Sequence, residues 1–254
     1  MNGTDGAGRN SLAFVMITIL LDAMGFGLIM PVLPRLLMRV GSLSLDQAIG
    51  VGAWMSLAMA LASFFAAPIL GNLSDAYGRR KVLLIALAGM AANYLVLAIA
   101  QSLALIVFAR VLTGLFGGSY APAQAAVADI TKPEDRAKTF GFVSAAFGVG
   151  FIAGPALGGL LSQFGERTPF YVAVALASAN CLYGLVIFPE TLRPELRRPF
   201  QFARANPFGA WRTATAAPGT RRLALVLLLW QLASLVYPLV WSFWGSRSWA
   251  GRTG

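Results

Sequence analysis

Seven stretches of roughly twenty apolar residues follow one another along the chain, at about Leu12–Leu33, Ala48–Leu70, Val82–Ala100, Leu103–Val127, Phe140–Leu161, Phe170–Phe188 and Leu223–Trp244. Each is long enough to carry a helix across the ~30 Å hydrocarbon core of a bilayer. Of the 254 residues, 57% are hydrophobic and only 12% charged, whereas a soluble globule carries about 25% charged residues. So few charges cannot cover a water-facing surface, and lipid must be the main solvent. The expected fold class is an all-α integral membrane protein. The first run is too long for the core of a signal peptide and lacks a cleavage site, so it reads as an uncleaved span.

The same composition removes whole classes of chemistry. With no His in the chain, catalytic triads, imidazole metal sites and imidazole proton shuttles are excluded. Cys181 is the single cysteine and lies inside an apolar run, which excludes an intrachain disulfide and a cysteine cluster for zinc. A soluble enzyme is ruled out, and an intramembrane one finds no nucleophile–base pair. No cofactor is expected.

The net charge of +10 is explained by where the charges fall. The N-terminus carries Arg9, and the loop after the second run carries Arg79, Arg80 and Lys81. The loop after the fourth carries Lys132, Arg136 and Lys138, and seven arginines lie between Arg193 and Arg222. The opposite loops hold only Arg35, Arg39 and Arg167. Positive residues resist translocation, so the basic side is expected to be cytoplasmic, with the N-terminus inside a multi-pass protein of the inner membrane. No nucleic-acid partner is needed to account for the charge. The stretch Pro189–Arg222, rich in Arg and Pro, reads as a linker. The expected organisation is a six-helix bundle over 1–189, a basic cytoplasmic linker over 190–222, and a seventh helix with an atypical tail over 223–254.

An ionisable side chain at mid-span costs on the order of 3 kcal/mol on insertion scales, so each needs a reason. Two stand out, Asp22 and Arg110. Asp22 precedes Gly25, Gly27, Pro31 and Pro34, residues that loosen a helix and are tolerated where it lines a cavity. Its carboxyl group suits proton exchange; the plainer reading is a hydrogen bond to a neighbouring helix. Arg110 shares a helix face with Gly114 and Gly118. It either faces a cavity, with Asp22 the one mid-span carboxylate available to it, or snorkels to the surface. Asn93 and Gln231 are weaker signals, since polar side chains often simply join helices.

Glycines mark two further strings. Gly150, Gly154 and Gly158, with Pro155 and Gly159 alongside, form a flat stripe for close helix packing. The segment Gly71-Asn72-Leu73-Ser74-Asp75-Ala76-Tyr77-Gly78-Arg79-Arg80-Lys81 joins two spans by a loop so short that its glycines are expected to make the turn. Asp75 is placed to meet Arg79 four residues on.

Together these strings resemble the major facilitator superfamily, and more narrowly its drug:proton antiporters of the tetracycline-efflux type. Asp22 to Pro34 is similar to that group's first-helix signature, Gly71 to Lys81 to the cytoplasmic loop motif, Arg110 with Gly114 to the fourth-helix motif, and Gly150 to Gly159 to the antiporter motif. Ala128 to Thr131 with Arg136, and Pro189-Glu190-Thr191 closing the sixth span, are similar too.

The resemblance implies two six-helix bundles, each of inverted three-helix repeats, rocking about a central site. It places Asp22, Arg110 and Asn93 at the cavity for proton and substrate. It places Asp75, Arg79 and Asp129 in a cytoplasmic charge network that latches one conformation, with Gly71, Gly78, Arg80 and Arg136 in the cytoplasmic motifs beside it. The implied activity is export of small lipophilic compounds, tetracycline-like drugs among them, in exchange for protons. Two departures stand against this pattern. The tetracycline exporters carry an Asp before the Tyr of the third span, where this chain has Asn93-Tyr94, and an amide cannot titrate. The family also has twelve spans and the chain seven. A complementary C-terminal half or self-association is therefore an expected partner; a non-transporting half-carrier and a solute importer are the alternatives.

Overall fold

A computed structural model describes residues 4–216 and 219–230. The chain divides into two compact units, Met1–Ala205 and Asn206–Gly254. Six segments of the first are long and apolar enough to cross a membrane.

The first span is α1 (Thr4–Ile29), and a short helix, α2 (Leu33–Gly41), follows it. The second span, α3 (Leu45–Tyr77), starts at a capping box in which the Ser44 side chain accepts from the Gln47 backbone and Gln47 from that of Ser44. Gly78 separates it from the third span, α4 (Arg79–Ile99). The fourth span starts at Ser102, whose hydroxyl accepts from the Leu105 amide. It is not the single helix its unbroken apolar run suggests: α5 (Leu103–Phe116) gives way to a 3-10 turn at Gly117–Ser119 before α6 (Tyr120–Ile130). The fifth and sixth spans are α7 (Arg136–Leu161) and α8 (Thr168–Ile187). The Arg167 guanidinium donates to the carbonyls of Ala98 and Ala100 at 2.8 and 2.7 Å, capping the end of α4.

The closest helix pairings are α1 with α7, α3 with α5, and α4 with α8. If the first three spans are exchanged in order with the last three, the first two pairings interchange and the third maps onto itself. This is the contact pattern of two three-helix repeats of inverted topology.

Glycines set these approaches. A Cβ on Gly154 would lie 2.6 Å from the Met24 carbonyl oxygen and 2.7 Å from Cα of Gly27. Gly150 and Gly158 likewise press on the α1 backbone at Leu20 and Leu28. At the other pairing, a Cβ on Gly114 would strike the Met59 carbonyl. Gly159 faces open space and takes no part in the stripe.

Two apolar clusters fill the unit. One gathers Leu28, Leu36, Leu97, Ile106 and Phe170, the other Phe14, Leu83, Leu87, Val127 and Phe188. Buried polar residues lie along the helices where one cluster passes to the other: Thr18, Arg110, Thr113, Ser119 and Asn180. They satisfy one another where they can, as in the 3.2 Å bond from Thr18 to Asn180.

The expected linker does not begin at residue 190. Glu190 Oε1 accepts from the Arg79 amide at 2.8 Å, the Arg198 amide donates to the Asp75 carbonyl, and Asn72 donates to the Gln201 carbonyl. The ends of α3 and α4 offer backbone groups that this segment pairs, so residues 190–201 belong to the first unit, with α9 (Phe202–Ala205) behind them. In the second unit, α10 (Pro207–Ala214) precedes helical residues 219–230. The rest of the expected seventh helix, with Gln231 and the tail, lies outside the described residues.

Candidate functional site

Asp22 is half-buried at mid-length of the membrane part of α1. The 3-10 turn in the fourth span brings Ser119 against it, and the Ser119 hydroxyl donates to Asp22 Oδ2 at 2.7 Å. The carboxyl lines a pocket of about 260 Å³ whose walls come from α1, α4, the fourth span and α7. Apart from Asp22, its polar side chains are Thr113, Ser119 and Tyr120; Phe26, Phe147, Phe151, Met90 and Ile19 make it apolar. The aromatic rings form a continuous strip, with centroids 6.0 Å apart for Tyr120–Phe147, 5.9 Å for Phe147–Phe151 and 6.4 Å for Phe26–Phe151. One ionisable group in an otherwise oily wall is an arrangement in which proton uptake decides whether the wall is charged.

Arg110 does not meet Asp22. It is 7% exposed and its Nε and Nη2 have no hydrogen-bond partner. It lines a second pocket, of about 310 Å³, between α1, α2, α3 and α5. Phe26 lines both pockets. Tyr94 lies within electrostatic reach of both ions, with its own hydroxyl unpartnered.

Gly25 explains the position of Tyr94: a Cβ there would lie 2.7 Å from the Tyr94 hydroxyl. The α1 glycines therefore do not loosen the helix, which runs unbroken to Ile29. Gly25 admits Tyr94, and Gly27 admits Gly154 and Pro155. Asn93 does not line either pocket. It is fully buried and donates to the Thr113 hydroxyl at 2.9 Å, which passes its own proton to the Ala109 carbonyl. An amide so placed holds Thr113, a pocket-wall residue, instead of facing a ligand.

The second group of expected residues assembles at the end of the bundle where α3 meets α4. Arg79 Nη1 donates to Asp75 and to Ser74, and its Nε to Asp129 at 3.1 Å. The planar guanidinium thus ties the second, third and fourth spans together. Gly78 has φ of 104°, and a Cβ on it would run into the Glu190 carboxylate. Gly71, by contrast, lies inside α3 and faces open space, so it makes no turn. Arg80 donates to the Leu185 carbonyl and Arg136 to that of Ala128, so neither joins the cluster. At the opposite end, Arg39 pairs with Glu166 at 2.6 Å.

Sequence reasoning passed over Ser119, Tyr94 as a neighbour of both ions, and Glu190 as the acceptor at the turn. The adjacent glycines Gly117 and Gly118 carry the signal for the first, since a glycine pair inside an apolar run points to a break. Nothing in spacing alone gives the other two.

Comparison with known proteins gives a family match and close relatives. The model of the Major Facilitator Superfamily matches residues 15–249. The class C tetracycline resistance protein of Escherichia coli is 40% identical over 238 residues, covering 93% of this chain and 59% of that protein. The class G protein of Vibrio anguillarum is 38% identical over 240 residues, covering 93% of this chain and 60% of that protein. Among solved structures, the human organic anion transporter MFSD10 (TETRAN) matches with a TM-score of 0.68 at 28% identity, over 79% of this chain and 53% of that one. The chain therefore spans about three-fifths of the length of these two tetracycline resistance relatives.

Proposed function

Because the chain belongs to the Major Facilitator Superfamily, a family of membrane transporters and not of enzymes, we propose that it exports small lipophilic compounds, tetracycline-like drugs among them, in exchange for protons. The observation that carries this reading is the Asp22 carboxyl in the aromatic wall of the first pocket, held by Ser119. In its charged form the carboxylate accepts hydrogen bonds from the donor or cationic groups of a drug, and a proton bound there removes that acceptor charge. Drug and proton then compete for the same wall, and competition for one site is sufficient for exchange. The relatives named for tetracycline resistance supply the substrate class.

The same reading sets the N-terminus in the cytoplasm of the inner membrane and makes the Arg79 cluster a latch on that side. The second wall of the cavity would come from a complementary C-terminal half or a second copy of the chain, rocking against the first.

The test uses inside-out membrane vesicles from cells expressing the chain, energised to be acidic inside. Tetracycline uptake that collapses when the gradient is dissipated, and that is lost in Asp22→Asn, is the expected result. Uptake independent of the gradient, or unchanged in that variant, contradicts the proposal.

A further inference from the structure

In the second unit, Asn206 and Pro207 specify the start of a helix. The Asn206 side chain accepts from the Phe208 amide at 3.0 Å, and the proline takes the first helical position, where no amide is needed. At the other end the Thr215 amide and hydroxyl both donate to the Trp211 carbonyl. The helix so bounded, α10, has eight residues, a length that is marginal in water without a surface to pack on. At about 100° per residue, Pro207, Phe208, Ala210, Trp211 and Ala214 share one side of it, and Arg212 stands at the border of that side. Yet Phe208 is 66% exposed and Trp211 49%.

The charge around this helix has one sign. From Leu196 to Trp230 there is no Asp or Glu, and Arg212, Arg221 and Arg222 are exposed, with no ion pair among the described residues. Position along the chain limits what the helix can meet. The sixth span ends at Ile187, and the apolar run of the expected seventh starts at Leu223. A chain that leaves and re-enters a bilayer between consecutive spans does so on one face. Nine residues separate Ala214 from Leu223, a reach of at most ~30 Å, so the bilayer surface is offered to α10 at high effective concentration.

We propose that α10 is an interfacial anchor. Its Phe208–Trp211 side lies in the headgroup boundary of the bilayer that holds the spans, and Arg212, Arg221 and Arg222 bind the phosphates of anionic phospholipids there. Aromatic side chains favour that boundary, an arginine at the edge of the apolar side reaches the headgroups, and guanidinium pairs with phosphate through two parallel bonds. Each arginine held near an anionic surface strengthens the attachment several-fold. The proposal does not rest on the transport reading, since it needs no proton, drug or second half. It makes lipid charge a determinant of where the connection between the sixth and seventh spans lies.

The experiment measures hydrogen–deuterium exchange of the full chain in nanodiscs of phosphatidylcholine alone and of phosphatidylcholine with phosphatidylglycerol, at low salt. Exchange over residues 208–214 is expected to be at least about tenfold slower with phosphatidylglycerol. The difference should shrink at high salt, while α2, in the first unit, exchanges alike in both lipids. The triple variant Arg212→Gln, Arg221→Gln, Arg222→Gln should erase the difference, and Phe208→Ser with Trp211→Ser should speed exchange in both lipids, with α2 unchanged throughout. Equal exchange in the two lipids overturns the proposal without any variant. So does a difference that survives the triple variant, or exchange that the two serines leave unaltered. Soluble glycerophosphoglycerol added to phosphatidylcholine nanodiscs is expected to give no protection; if it slows exchange over 208–214, a dissolved anion is the partner and the proposal fails.

Discussion

Asp22 and Arg110, ionisable residues of opposite sign in the first and fourth spans, do not pair; the acid accepts from Ser119, while two nitrogens of the base have no acceptor, and Phe26 lines both of their pockets. Neither ion is neutralised by the other. That separation, and not the presence of the charges, is what gives the mid-membrane region two chemically distinct recesses.

The Ser119–Asp22 bond should be visible spectroscopically. Difference infrared spectra across a pH change should contain a carboxyl band that disappears in Asp22→Asn and moves in frequency in Ser119→Ala. Loss of this bond should weaken drug binding or export about five- to tenfold, from a contribution of about 1–1.5 kcal/mol. An unmoved band would place the hydroxyl elsewhere.

The α1–α7 contact should discriminate sharply between glycines of the same helix. Gly154→Ala puts a methyl group 2.6 Å from the Met24 carbonyl oxygen, an overpacking that should cost about 1–3 kcal/mol. Gly159→Ala meets open space and should stay within about 0.5 kcal/mol of the unaltered chain. Thermal unfolding in detergent measures both.

Gly78→Ala combines two faults, a positive φ of 104° and a collision with Glu190. The backbone fault alone should cost about 1–3 kcal/mol. Glu190→Ala in the same chain relieves the collision but also removes the acceptor of the Arg79 amide, so the double variant should lose less stability than the sum of the two single variants.

Arg79 should not be replaceable by lysine. Its Nε and Nη1 reach Asp129 and Asp75 from one planar group, a geometry a single ammonium cannot reproduce. Each pair, screened at its partly exposed carboxylate, should contribute about 0.2–1 kcal/mol. Arg79→Lys should lose part of the total and Arg79→Ala all of it, with the differences shrinking as salt is added. Unfolding midpoints at low and high salt test this.

Much of the architecture was legible because lipid imposes a simple rule: a span must be long and apolar, and its charges must be explained. The six spans of the first unit, the Gly150–Gly154–Gly158 stripe and the approach of Asp75 to Arg79 all follow from spacing. What spacing could not give is which neighbour a residue meets across the bundle. Asn93 reads as a cavity residue by depth, yet it faces Thr113; Arg110 and Asp22 read as partners by charge, yet the break at Gly117–Ser119 gives Asp22 a closer donor. Gly71 sits in a loop motif by sequence but in a helix by backbone. The segment after Pro189 looks like a free linker because its own composition is polar; it is held by the Arg79 amide and the Asp75 carbonyl, backbone groups that α3 and α4 cannot satisfy alone, and by the Asn72 side chain.

The central claim is that drug and proton share the Asp22 wall. It is tested most directly by adding tetracycline to the purified chain in an unbuffered solution containing a pH indicator, at a pH where Asp22 is partly protonated. Competition at one site requires protons to be released on drug binding, in proportion to the fraction of Asp22 protonated beforehand, and Asp22→Asn should bind drug with no release. Binding without proton release in the unaltered chain, or equal release in Asp22→Asn, would contradict the account.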